Sequence, residues 1–528
     1  MSDGVVTSEL AHESEPEPGQ TKGRSKSITP VFANYVPQSA PGSAAAQGHS
    51  LGNSIPLSIF PIATDKFCFA FCGLPGRGKT HIARRLARYL EFFWSVPVGV
   101  FNVAEYRRNK HGSVKDFAWF DRSNQDSLKI RDECNELALA DLKDFLDKHP
   151  NGVAILDSTN SSCVRRKRVN DDIMSTGATL LWIEVSSDNV TFLNQQVREA
   201  AETSPDYKDV ESETAKEDYR RRLSMYSADY EPLGSVEEYA YERRWSYFKC
   251  DHSKHHFTSH RIRGHLPLKV AHFIMNLRNS SHAFFLSRHG QSEYNAIGRI
   301  GGDSGISELG LAYARNLAEF VETTITRDPE TGQEVAGRLW TSSMRRTKET
   351  AQFIRQKEMK IGDDEDPSIE YEWIQMRPRE WHHLDELFAG SCDGMTYLEI
   401  EKKYPEEFAM RSKDKLAYRY PRGESYLDVI ARLEPIILEM ERHREPLLVV
   451  AHQAVLRIVY AFYTGISRAE APYVSIPLNT VVEMQPHAFG CNVKRHVLFT
   501  PPEVLASDGQ DEPDAAAALA NMIDPPSH

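Results

Sequence analysis

No stretch of this sequence approaches the ~20 consecutive apolar residues that a bilayer-spanning helix needs. Its first residues, Met1-Ser2-Asp3-Gly4, lack the basic and apolar segments of a secretory leader. Cysteine is scarce: seven are dispersed over 528 residues with no Cys-x-x-Cys pair, which argues against a disulfide framework and for reduced thiols in the cytoplasm. Positive charge is also short. Lys+Arg number 63 against 75 Asp+Glu, a net charge of -12, and an acidic chain repels polyanions, so neither nucleic acid nor a membrane surface is expected as a partner. Small phosphorylated substrates remain open, because they answer to local clusters of Arg and Lys. Finally, the chain is too long for one core, since single cores stop growing at roughly 250–300 residues. Two folded domains are expected.

What is present begins with loose ends. Residues 1–53 are rich in Ser, Pro, Gly, Glu and Ala, and residues 501–528 in Pro, Asp and Ala. Such segments bury too little apolar surface to offset their ordering entropy, so both are expected to be disordered tails. Arg24-Ser25-Lys26-Ser27 is a pattern that a basic-directed protein kinase reads, or else part of an idle tail. Between the tails, strands alternate with helices. Apolar runs at Phe67–Phe71, Val98–Val103, Val153–Leu156 and Leu180–Val185 read as strands, with helices at Thr80–Trp94, Ser127–Lys148 and around Arg165–Asn170. The pattern restarts with strands at Ala283–Ser287, Arg338–Thr341 and Leu447–Ala451, and with helices at Leu311–Thr323, Arg345–Arg355, Tyr426–His443 and Ala454–Tyr463. This alternation implies parallel βαβ units and an α/β fold in both halves, with domains at 54–280 and 281–500.

Gly73-Leu74-Pro75-Gly76-Arg77-Gly78-Lys79-Thr80 fits G-x-x-x-x-G-K-[ST] between a strand and a helix. Backbone N–H groups there must turn inward around phosphate oxygens, which needs Gly73, Gly76 and Gly78. Arg77 sits in the same loop, Lys79 would reach the β/γ-phosphates, and Thr80 would ligate Mg²⁺. The expected ligand is therefore MgATP, on a parallel sheet of the P-loop NTPase type with flanking helices. Asp157 ends the strand Val153–Leu156 as a second candidate metal ligand, the alternative being a cap or turn residue.

In the second half, Arg288-His289-Gly290 follows a strand directly, and so does Ala451-His452-Gln453, while Arg346 opens a helix just after a third strand. A neutral imidazole attacks phosphorus competently if arginines spread the charge of the transferring group. Parallel strands deliver such residues to one edge, outside their carboxyl ends. Two histidines and two arginines should therefore converge.

With these residues the chain resembles the histidine phosphatase, or phosphoglycerate mutase-like, superfamily joined to a P-loop kinase, the pairing of the 6-phosphofructo-2-kinase/fructose-2,6-bisphosphatase family. The likeness runs from about Phe67 to about Leu498 and includes Phe101–Arg108, Ser204–Asp209, Gly298–Gly305 and Tyr420–Tyr426. The resemblance implies a C-terminal phosphoglycerate mutase-like α/β domain in which His289 takes the 2-phosphate of fructose 2,6-bisphosphate. There Arg288, Arg346, His452 and Asn295 would hold that phosphate, and Glu386 would act as acid and then base. Tyr397, Arg411, Lys415, Tyr426, Gln453 and Arg457 would bind the rest of the sugar bisphosphate, with no cofactor. In the kinase half the resemblance implies MgATP on Lys79, Thr80 and Asp157, with Thr159 and Lys208 along the transfer path. Fructose 6-phosphate would sit on Arg107 and Arg222. It further implies a homodimer, while the Arg24–Ser27 pattern leaves open a regulatory protein kinase acting on the tails.

Three departures stand out. Gln291 replaces the Glu usual after Arg-His-Gly, and the connection around Asp363–Arg379 is longer and acidic. Asp121 occupies the position of a substrate-binding arginine, which predicts weakened sugar-phosphate binding unless Arg122 substitutes. In the alternative reading that follows, the phosphatase works while the kinase domain binds ATP but phosphorylates little. Cys250 to His265 holds five histidines in a spacing that fits no recognised zinc site and reads as a polar loop or strand.

Overall fold

Phe67–Cys72 (β1) is buried at all six positions, as a central parallel strand covered on both faces must be. The computed structural model describes residues 66–500 except 114–115, 122, 235–236, 278–282, 330, 363–369 and 488–489. The two expected tails, the Arg24–Ser27 segment, the junction near Asn279–Ser281 and Arg122 lie outside the described residues.

From β1 the chain runs through α1 (Lys79–Tyr89), β2 (Val98–Asn102), α2 (Val103–His111), α3 (Gln125–Lys148), β3 (Val153–Asp157), α4 (Cys163–Met174), β4 (Thr179–Ser186), α5 (Val190–Thr203), α6 (Ser212–Ala228), β5 (Tyr247–Asp251), β6 (His256–His260) and α7 (His265–Asn276). The sheet order is β2-β3-β1-β4-β5-β6. Every pair is parallel except β5–β6. The histidine-rich stretch thus forms the antiparallel edge, where His260 stacks on Tyr247 at 4.6 Å. The helix expected over Thr80–Trp94 is α-helical only to Tyr89 and then widens into a π-helical turn, Leu90–Trp94. That turn seats Phe92 and Phe93 against Phe462 of the second domain, at 5.6 and 5.4 Å.

The second half comprises β7 (Phe284–Arg288), the single turn α8 (Glu293–Ala296), α9 (Glu308–Phe320), β8 (Arg338–Thr341), α10 (Arg345–Ala351), β9 (Lys357–Gly362), β10 (Glu370–Gln375), β11 (Pro378–Glu380), α11 (Tyr397–Lys403), α12 (Pro405–Lys413), α13 (Tyr426–Arg442), β12 (Leu447–Ala451), α14 (Gln453–Thr464), β13 (Thr480–His487) and β14 (Gly490–Val497). Its sheet runs β11-β8-β12-β7-β13-β14. The first four strands are parallel, and β13 and β14 complete it antiparallel. α10 stops four residues short of the helix expected to Arg355. Within the acidic connection residues 370–375 form β10, which pairs antiparallel with β9 just before it and is anchored where Gln375 donates to Val335 O and accepts from Gly337 N.

The two sheets share one apolar core, in which α1 packs beside α13 and α14. Arg85 pairs with Glu441, Tyr89 donates to Glu434 at 2.5 Å, and Arg88 donates to Ala461 O and Phe462 O at 2.8 and 3.0 Å. Among the described residues no helix is long and apolar enough to cross a membrane.

Candidate active sites

Strand pairing assembles the histidine site. β7 and β12 run in parallel register with Ala451 opposite Arg288, so the residues that follow each strand emerge side by side. His289 N donates to Ala451 O at 3.0 Å, and the His289 and His452 rings lie 5.2 Å apart, both buried. Gly290 is required by close approach: a Cβ there would meet Gly310 O at 2.7 Å. His289 Nδ1 lies 2.8 Å from the Gly290 carbonyl. A carbonyl only accepts, so Nδ1 carries the proton and Nε2 presents a lone pair. Burial, then Arg346 and Arg288, hold the His289 pKa well below its ordinary value. Burial, Arg346 and His289 do the same to His452, whose Nε2 shares a 2.7 Å hydrogen bond with Ser342 Oγ. Both imidazoles are neutral near pH 7.

Arg346, the second residue of α10, is buried and donates to Gly302 O at 2.7 Å. Glu386 stands within electrostatic reach of it, and Glu386 Oε1 accepts from Leu387 N and from Ala454 N at the start of α14, at 2.9 and 3.2 Å. Asn295, third residue of α8, exchanges bonds of 3.1 Å with its N-cap Ser292. The remaining predicted residues form a basic, aromatic wall. Arg411 donates to Tyr397 Oη at 3.1 Å, Arg457 to Tyr426 Oη at 3.3 Å, and Lys415 lies over Tyr473 at 5.1 Å. Tyr426 feels Arg457, Glu386 and Arg411 together, and Gln453 follows His452 directly. Two contributors escaped the sequence reading. Ser342 orients His452, and Arg432 of α13 grips the loop bearing Glu386. Neither belongs to a motif, because each acts across the fold rather than along the chain. Gln291 does not face the histidines: its Oε1 accepts from Ser307 Oγ at 2.7 Å, bracing the N-terminus of α9.

The P-loop closes over α1. Gly73, at φ 130°, donates to Thr159 O at 3.0 Å, and a Cβ there would strike Val185 O at 2.4 Å, so only glycine fits. Gly76 and Gly78 also have positive φ, and Arg77 folds back on Pro75 O at 3.4 Å. Lys79 Nζ rests on Leu74 O at 2.6 Å, and burial lowers its pKa to about 8 against the pull of Asp157. Burial raises Asp157, opposed by hydrogen bonds from Thr80 and Asn102. A hydroxyl beside a carboxylate suits a hard divalent cation, while Asn102 turns its amide N–H to Asp157 and its oxygen to Glu105 N.

A cavity of about 320 Å³ joins Lys79, Thr80 and Asp157 to Thr159, Arg107 and Arg222. Asp206 binds Arg107 at 2.6 Å, Arg222 at 3.3 Å and Arg108 at 3.5 Å. Although burial pushes its carboxyl up, Arg222 and Arg107 hold it below the ordinary range. Lys208, by contrast, is exposed and does not line this cavity.

A neighbouring cavity of about 530 Å³ holds Asp121 and Arg165 and shares Thr159, Arg131 and Tyr226 with the first. Asp121 spends its carboxylate on Ser123 N and Oγ, both at 2.8 Å. Arg131, four residues after Ser127 on α3, faces both cavities while bracing Phe120 O and Asp121 O at 3.1 and 3.3 Å. Sequence reading missed Arg131, Arg165 and Tyr226, which lie on helical faces with no motif to flag them.

Comparison with known proteins adds two family models: "6-phosphofructo-2-kinase" over residues 58–281 and "Histidine phosphatase superfamily (branch 1)" over residues 284–498. A Gallus gallus protein, "6-phosphofructo-2-kinase/fructose-2,6-bisphosphatase", is 37% identical over 422 residues, 80% of this chain and 83% of that one. A Homo sapiens relative, "6-phosphofructo-2-kinase/fructose-2,6-bisphosphatase 3", is 37% identical over 84% of this chain and 79% of its own. A Saccharomyces cerevisiae protein, "Fructose-2,6-bisphosphatase", is 36% identical over 81% of this chain and 88% of that one.

Proposed function

The chain belongs to the 6-phosphofructo-2-kinase/fructose-2,6-bisphosphatase family, and from that premise we propose that it both makes and hydrolyses fructose 2,6-bisphosphate. One observation carries the reading: a phosphate-cradling loop and a pair of neutral, arginine-flanked imidazoles stand in a single chain.

In the C-terminal half, His289 Nε2 attacks the 2-phosphorus. Arg288, Arg346 and His452 take the charge of the transferring group, and Glu386 protonates sugar O2 as the P–O2 bond breaks. Glu386 then accepts a proton from the water that splits the Nε2–P bond. A positioned acid of this kind is worth roughly 10²–10⁴ in rate. Arg411, Lys415 and Arg457 hold the 6-phosphate end of the sugar bisphosphate, with Asn295, Tyr397, Tyr426 and Gln453 completing the pocket.

In the N-terminal half, Thr80 and Asp157 would hold Mg²⁺, which neutralises phosphate charge when bound. Lys79 and the loop amides orient the γ-phosphoryl group of ATP, with Thr159 beside the transfer path. Arg107, Arg222 and Arg131 bind fructose 6-phosphate, and Lys208 would have to swing inward to join them. The family suggests a homodimer; dispersed cysteines suggest the cytoplasm, and Arg24–Ser27 a protein kinase acting on the tails.

The test labels the 2-phosphate of fructose 2,6-bisphosphate and traps the acid-labile phosphoenzyme. Label should appear on wild type and vanish in His289→Ala, while His289→Ala still makes fructose 2,6-bisphosphate from MgATP and fructose 6-phosphate. Label retained by His289→Ala would overturn the phosphatase half, and absence of synthesis would overturn the kinase half.

A further inference from the structure

Glu386 sits in an irregular segment between β11 and α11, where no strand or helix of its own fixes the carboxyl. The carboxyl accepts from Leu387 N and from Ala454 N of α14, while the backbone that carries it is held by one side chain from α13. Arg432 donates through Nη1 to His383 O, and through Nη2 to Asp385 O at 2.7 Å and Glu386 O at 3.4 Å. Its other edge makes a paired contact with Glu424, at 2.9 and 3.2 Å. Glu424 in turn accepts from Phe388 N at 3.0 Å and donates its own N–H to Phe388 O at 2.9 Å. One planar guanidinium therefore spans the segment from residue 383 to 388, which a flexible lysine ammonium does not do. The opposite side of the segment is tied to the histidine site, where Ser343 N and Oγ donate to Asp385 at 2.8 and 2.9 Å. Ser343 adjoins Ser342, the partner of His452.

We propose that Arg432, with Glu424, is a positioning residue that places the Glu386 carboxyl for proton transfer to and from the reacting oxygens. The assignment rests on the phosphatase reading above. Arg432 touches neither the phosphate nor the sugar in this scheme, and its effect passes through Glu386. When it is lost, the carboxyl is no longer within reach as the P–O2 bond breaks and the sugar oxygen leaves unprotonated. The same displacement leaves the incoming water without its base. Misplacing a group by about 1 Å costs on the order of 10²-fold, so slower chemistry with nearly unchanged substrate binding is the expected signature.

The decisive measurement is a double-mutant cycle on the rate of His289 phosphorylation by fructose 2,6-bisphosphate, followed by rapid quench. Arg432→Met in the wild-type background should slow that step roughly 10–100-fold, with KM within about threefold. In a Glu386→Gln background the same substitution should cost less than about twofold, because the group it positions is already gone. An equal loss in both backgrounds would mean that Arg432 acts on general packing or through its charge on His452, and would overturn the proposal. So would an Arg432→Met enzyme within threefold of wild type. Should Arg432→Met fail to fold, Glu424→Gln, which leaves the guanidinium in place, is carried through the same cycle with the same criteria. A wild-type rate in Glu386→Gln itself would refute the underlying role of Glu386, and this inference with it. Kinase activity of every variant, within about twofold of wild type, reports that the chain remains intact.

Discussion

The two centres of this chain keep positive charge ready for phosphate in opposite ways. At the histidine site the bases are neutral, because burial and two neighbouring arginines make further positive charge costly. There Arg346 spends itself on a backbone carbonyl, not on a carboxylate. At the P-loop site the arginines are already compensated, with Arg107, Arg108 and Arg222 all converging on Asp206. A phosphate entering the first site meets a guanidinium bonded to the backbone, with Glu386, Asp303, Asp393 and Asp385 acting on it through space. One entering the second must compete with an internal anion, so binding there trades one ion pair for another. The first centre is preorganised for transition-state stabilisation. The second is organised for exchange.

Removing either centre should leave the other at work. His289→Ala should lower fructose-2,6-bisphosphatase turnover by roughly 10³-fold or more while leaving synthesis within about twofold, as coupled assays of each direction would show. Lys79→Met should lower synthesis by roughly 10²–10³-fold through lost charge at the transferring group while phosphohistidine formation persists. A matching fall in the phosphatase would mean that the shared core around α1 couples the centres tightly.

Acid acts on the histidine site through its two buried imidazoles. Because the folded pKa of each site histidine is depressed, the unfolded chain binds more protons below about pH 6.5. Their contribution to stability is therefore complete above that pH and declines as pH falls. Denaturant midpoints at pH 7.5 and 5.5 should show a shallower loss for a His289→Asn/His452→Asn double variant than for wild type, and an identical slope would contradict the assignment. The smallest effect is expected at Asp121. Its carboxylate is taken by Ser123 and Arg131 supplies a cation to the cavity, so Asp121→Ala should change KM for fructose 6-phosphate by less than about threefold. A change of tenfold or more would restore the repulsion expected from sequence.

Local chemistry written in consecutive residues was legible in the chain itself. The glycines of the P-loop, the histidines that end β7 and β12, and the alternation of strand and helix each depend on neighbours in the chain, on backbone freedom and on burial periodicity. Residues acting across the fold were not legible. Arg131, Ser342 and Arg432 matter because α3, β8 and α13 turn them toward a cavity or a loop that no local motif marks. The exposure of Lys208 and the redirection of Asp121 onto Ser123 likewise belong to side-chain packing. The sequence alone thus determined which chemistries this protein carries, since those need particular residue types at fixed local separations. Which charges form ion pairs, which carboxyl is held in place, and that both centres lean on one core follow from contacts between segments that the linear chain leaves independent.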